Sequence, residues 1–108
     1  MGHARHEDLR DLDDVLAEIR AWPGVAERAA GVFSLGRRPF LHFHARGAAR
    51  WADARTGRTW GPEIPLPFDA SRTVTSAFMR EARARYLACV ESGRRAARSG
   101  RGGRASDV

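Results

Sequence analysis

The chain has 108 residues, 19 basic against 13 acidic side chains, and a formal net charge of +6. That length allows one small domain, the 43% of hydrophobic residues argues against wholesale disorder, and no apolar run approaches the ~20 residues of a membrane-spanning helix. A single cysteine, Cys89, excludes an intrachain disulfide framework, and the polar stretch 1–10 does not read as a signal peptide, so the expectation is a cytoplasmic protein without a membrane partner.

Residues 1–7 read as a polar leader. Leu9, Leu12, Leu16 and Ile19 then recur at helical spacing, with Val15 and Trp22 widening the stripe, which predicts a helix over about 8–22. Asp8 is its expected cap and Pro23-Gly24 its stop. Short strands are expected next: 31–35, then 40–45 after the Gly36-Arg37-Arg38 turn, then 50–55 after a loop at 46–49. A last strand starts at Arg58-Thr59-Trp60 after the Thr56-Gly57 turn. It is interrupted at Gly61-Pro62 and resumes at Glu63-Ile64, and Pro65-Leu66-Pro67 confines it to an edge. In the second strand the alternation puts Leu41 and Phe43 on one side and Phe40, His42 and His44 on the other. In the third it separates Trp51, Asp53 and Arg55 from Ala52 and Ala54.

Asp69 or Ser71 begins a second helix over about 71–92, with Val74, Phe78, Ala82 and Cys89 on its stripe, flanked by Met79, Tyr86, Leu87 and Val90. Gly93 is the expected stop. Residues 93–108, rich in arginine and glycine, read as a disordered tail. The expected fold is therefore α+β and two-layered. It runs helix, antiparallel meander of three or four strands, helix, with both helices on one sheet face and a single domain at 8–92.

Every basic residue is arginine, and the chain has no lysine, asparagine or glutamine. Alanine, glycine, arginine and proline supply half the residues. GC-rich coding produces that composition too, so the arginine count by itself is weak support for a nucleic-acid partner. The charge is uneven: residues 1–22 net −3, whereas 23–70, 71–90 and 91–108 each net +3.

Catalytic motifs are scarce. No serine sits in a G-x-S-x-G frame, and there is no P-loop or G-x-G-x-x-G. Cys89 falls on an apolar helical stripe, where a small buried hydrophobe is the default. The carboxylate cluster Asp13, Asp14 and Glu18 lies on a solvated helix face. An enzyme is thus the less favoured class. His42 and His44 share a strand face, where both imidazoles could meet one metal such as zinc, with Asp53 on the neighbouring strand adding a carboxylate. His3 and His6, in the leader, carry no specific expectation.

The leading functional expectation is a non-catalytic binding module for nucleic acid. Its candidate residues are Arg37 and Arg38 at a hairpin tip, and Arg50, Arg55 and Arg58 flanking Trp51 and Trp60. Indoles offer stacking surfaces and guanidinium groups meet phosphates. Arg94, Arg95, Arg98, Arg101 and Arg104 would add a flexible clamp. The alternative is a protein-interaction or homodimerisation module using the same face, since Trp and Arg are common hot-spot residues. Metal binding through His42, His44 and Asp53 is the third reading.

The order Trp22-Pro23-Gly24-Val25, Gly31-Val32-Phe33, Phe40-Leu41-His42-Phe43-His44 and Ala52-Asp53-Ala54-Arg55 resembles a group of short bacterial proteins of unassigned function. The resemblance spans roughly residues 9–90, and the F-L-H-F-H element is its most specific part. More distantly, the first helix followed by W-P-G-V and a strand meander is similar to the start of the MmcQ/YjbR-like proteins, which have been linked by fold to DNA binding. The resemblance implies a small α+β fold and carries over no binding residue.

Overall fold

The computed structural model describes residues 2–107, with side chains through residue 98. The chain is α+β. A 3-10 helix, His6–Leu12, leads into α1 (Asp13–Ala21). Six strands follow: β1 (Val25–Ala29), β2 (Val32–Leu35), β3 (Arg38–Arg46), β4 (Ala49–Thr56), β5 (Thr59–Trp60) and β6 (Ile64–Pro65). The last element is α2 (Arg72–Asp107).

The sheet is antiparallel in the order β1-β2-β3-β4-β5, with β6 also pairing with β4. Strand β5 pairs at Arg55 and Thr56 and β6 at Trp51 and Ala52. They are thus two pieces of one interrupted edge strand, as Gly61-Pro62 suggested. The expected count of three or four strands falls short because β1 was not anticipated. Its sequence, VAERA, has no strong apolar alternation, and its residues are only partly covered. What defines β1 is the turn after it.

Four hairpins connect the sheet. Each closes through two residues, since Ala29 pairs with Val32, Leu35 with Arg38, Arg46 with Ala49 and Thr56 with Thr59. Each turn carries a glycine at positive φ, the requirement of the tight turns that match strand twist.

One sheet face is roofed by both helices. Phe33, Leu41, Phe43, Ala52 and Ala54 form one buried cluster with Leu12, Leu16 and Ile19 from the N-terminal helical segment and Phe78, Ala82 and Tyr86 from α2. Phe43 meets Phe78 at 5.6 Å between ring centroids, and Trp22 meets Tyr86 at 5.1 Å. The Tyr86 hydroxyl donates to the Pro23 carbonyl at 2.6 Å, tying α2 to the end of α1.

The structure corrects several sequence expectations. Phe40 does not share the outer face with His42 and His44: the β2–β3 register shifts between Phe33 and Ser34. That irregularity lets Phe40 turn inward, where it is 1% exposed and meets the Tyr86 ring edge-on. The first helix is not α-helical throughout; its opening turns are 3-10, and Asp8 accepts the Arg5 backbone N–H at 2.8 Å. On α2, Val74 and Leu87 are exposed while Arg85 is buried. The Arg85 guanidinium spans to Glu81 and to the Ala54 carbonyl, so a cation occupies the stripe where apolar side chains were expected. Ser71, not Asp69, caps α2 by accepting the Val74 N–H. The helix continues beyond Gly93, where Glu91 pairs with Arg95 and Arg98 across successive turns. The leader is partly structured: residues 2–4 lie antiparallel beside β3, with Ala4 N–H donating to Phe43 O and Ala45 N–H to Gly2 O.

Candidate functional site

The face of the sheet away from the helices is built by the β3–β4 pairing. His42 lies opposite Asp53 and His44 opposite Trp51, and the intervening Phe43 and Ala52 point into the core. The register follows from the two-residue turn Gly47-Ala48, because a slip of one residue would bury the imidazoles and expose Phe43. Trp60 completes the face from β5.

The side chains on this face touch one another. The His44 and Trp51 rings stack at 5.6 Å, and the His42 and Trp60 rings lie 5.3 Å apart. His44 Nε2 lies 2.9 Å from Asp53 Oδ2. The Arg55 guanidinium sits 4.8 Å from the Trp60 ring and donates to the Arg58 carbonyl. Trp60 is 42% exposed, the largest open aromatic surface among the described residues, while Trp51, His42 and His44 are half-buried. Burial, with help from the neighbouring His3 and His44, pushes the His42 imidazole below its ordinary pKa, which favours the neutral ring.

Residues 2–4 contribute a side chain that sequence reasoning passed over. The strip opposite His44 and Ala45 is free because β2 ends at His42 in the register. The leader fills it, and His3 thereby stacks on His44 at 5.0 Å and approaches His42 at 5.6 Å. Histidines 3, 42 and 44 offer ligand nitrogens that all lie within 4.8 Å of one another. Asp53, expected as a third ligand beside His42 and His44, lies outside this group, with its Oδ2 2.9 Å from His44 Nε2. The only sequence signal for His3 was its spacing from His6, and His6 lies outside the cluster.

The predicted arginines separate into two groups. Arg37, Arg38, Arg55 and Arg58 line one groove of about 490 Å³ between the β2–β3 and β4–β5 turns and α2, with Leu35, Phe40 and Val90 among its apolar lining. Arg37, Arg38 and Arg58 are exposed. Arg50 does not belong with them. Its side chain is 0% exposed. All five N–H donors of its guanidinium are satisfied within the fold: Nε by Leu66 O, Nη1 by Asp8 O and Asp11, Nη2 by Asp11 and Pro67 O. Arg50 is thus removed from the candidate nucleic-acid contacts. Its strand position alternates inward, and the only way to bury a guanidinium there is to surround it with acceptors.

Cys89 also lines the groove. Burial pushes its thiol up from the ordinary value, and Sγ faces the Arg55 and Gly57 carbonyls at 3.5 Å, an environment that keeps it protonated and unreactive. In the C-terminal part of α2, Arg95 and Arg98 are paired to Glu91; the side chains of Arg101 and Arg104 lie outside the described residues. Among the described residues no helix is long and apolar enough to cross a membrane.

No family model matches the chain, and neither a curated protein nor a solved structure matches it. Function must be argued from the outer sheet face itself.

Proposed function

We propose that this chain is a non-catalytic module that binds single-stranded nucleic acid, with bases on the outer sheet face and phosphates at the neighbouring hairpin tips. The observation that carries the reading is the setting of Trp60. It is 42% exposed, backed by the Arg55 guanidinium at 4.8 Å, and next to the turn of Arg58, which shares a groove with Arg37 and Arg38. An open indole beside exposed cations is what a splayed base and its phosphate need. The net charge of +6 favours the encounter.

Fluorescence anisotropy with a labelled oligonucleotide tests this. Affinity should fall steeply with salt, because bound counterions are released as arginines replace them. Trp60→Ala should weaken binding by about 1–3 kcal/mol, the usual worth of one base–aromatic stack. Arg37→Ala with Arg38→Ala should flatten the salt dependence instead. No binding at low salt, or an affinity indifferent to salt, rejects the reading. The second reading, a homodimer through the same face, rests on the same exposed Trp60. It predicts a solution mass above the 11.9 kDa of one chain that reverts to a single chain in Trp60→Ala.

A further inference from the structure

The outer face also brings together three imidazoles that the nucleic-acid reading does not use. His42 and His44 come from one strand, two residues apart, so both project from the same side of the sheet. His3 comes from the other end of the domain in sequence. It is held in place by backbone pairing, Ala4 N–H to Phe43 O at 3.0 Å and Ala45 N–H to Gly2 O at 2.8 Å. All three ligand groups therefore stand on hydrogen-bonded backbone, not on a free loop. Their ligand nitrogens already lie within 4.8 Å of one another. In a tetrahedral zinc site with bonds of about 2.0–2.1 Å the ligating nitrogens are about 3.3 Å apart. Modest ring rotations close that gap.

The surroundings suit a metal more than they suit bare imidazoles. Asp53 Oδ2 lies 2.9 Å from His44 Nε2. That contact fixes the orientation of the His44 ring within the cluster. A carboxylate behind a ligating histidine orients the ring and raises its basicity. Trp51 and Trp60 flank His44 and His42 as walls. They fix ring orientation and reduce access of water from two sides. No cysteine stands in the cluster, and three nitrogens select a borderline divalent transition ion over magnesium or calcium, which prefer oxygen.

We infer that His3, His42 and His44 form a binding site for a divalent transition-metal ion of the zinc type, with Asp53 as the orienting partner of His44. Three protein ligands leave one position of a tetrahedral ion open to water or to an exogenous group. Neither the groove arginines nor Trp60 supplies a ligand to the site; Trp60 only flanks His42.

The test uses tag-free, chelator-stripped chain titrated with cobalt(II) and followed by its visible absorption, then with zinc(II) in competition. One ion per chain is expected, with zinc displacing cobalt and raising the thermal midpoint by mass action. Asp53→Asn should weaken zinc binding about 10–100-fold. His42→Gln and His3→Gln should each weaken it further than that. His6→Gln, which alters the leader histidine outside the cluster, should leave affinity unchanged. Circular dichroism in the presence of chelator verifies that each variant is folded. Folded wild-type chain that takes up no cobalt or zinc overturns the inference, as does binding that survives in both His42→Gln and His3→Gln or is lost in His6→Gln. No nucleic acid is present in the titration, so failure of the metal site and failure of nucleic-acid binding are read separately.

Discussion

Replacing Arg50 with alanine should bring the domain close to unfolding. The side chain is 0% exposed and joins three separated pieces of chain: the 3-10 helix through Asp8 O and Asp11, β4 through its own backbone, and the segment leading to α2 through Leu66 O and Pro67 O. Its guanidinium also lies 4.6 Å from the Phe68 ring. Truncation removes the donor from three carbonyls, whereas the solvent-reached Asp11 carboxylate keeps the Asp69 N–H. Each buried acceptor left unsatisfied costs about 1–3 kcal/mol, against a total of about 5–15 kcal/mol for a typical domain. Urea denaturation at neutral pH measures the loss; a shift equivalent to less than about 1 kcal/mol would mean that water replaces the guanidinium at little cost. Arg50→Lys should recover only a small part, since one ammonium cannot serve acceptors on both sides of a planar fork.

The same link gives the domain an acid sensitivity of known sign. Arg50 holds the Asp11 carboxyl below the usual carboxylate value, with the Asp69 N–H also contributing. Burial works against ionisation of Glu27, but Arg20 and the Gly31 N–H outweigh it and lower that group too. A depressed carboxyl contributes stability that is complete above its unfolded pKa of about 4 and is lost as pH falls through the folded value. Stability should therefore decline on acidification below about pH 4, and Asp11→Asn should remove part of that slope. Equal slopes in the two proteins would show that Asp11 is not coupled to folding.

The second large effect is expected at Gly31. Its φ is +68°, and a Cβ there would stand 2.7 Å from Leu9 Cδ1 and 3.3 Å from Phe43 Cβ. Gly31→Ala thus combines a left-handed backbone, about 1–2 kcal/mol, with crowding of a filled core, about 1–3 kcal/mol. Gly47→Ala is the matched comparison, with a φ of +60° but open space around the added carbon. It should cost only the backbone share. The difference between the two midpoints in urea isolates the contact of the β1–β2 turn with Leu9 and Phe43. Equal losses would show that Leu9 moves aside freely.

Much of the candidate site was legible because its cause is local. The alternation in 40–45 and 50–55, and the glycine in the turn between them, are properties of neighbouring residues. Together they dictate that His42, His44, Trp51, Asp53 and Arg55 share a face. The interrupted edge strand was legible for the same reason, since proline removes a donor wherever it stands. Strand β1 was not, because VAERA has little periodicity and gains its place only by pairing with β2.

The sequence by itself determined the α+β class, the apolar stripe of the first helix, the places of three of the four hairpin turns and the alternating faces at 41–45 and 50–55, all from turn chemistry and side-chain period. Only the tertiary structure decided that Arg50 is enclosed and not presented, that Phe40 turns inward at the β2–β3 irregularity, and that His3 joins His42 and His44. The first and the last depend on groups some 40 residues apart meeting, Arg50 with Asp8 and Asp11 and His3 with His44; the second depends on the pairing of β3 with β2. A guanidinium or an imidazole has the same local sequence signature whether it ends in water or among acceptors. What differs is which distant backbone closes over it.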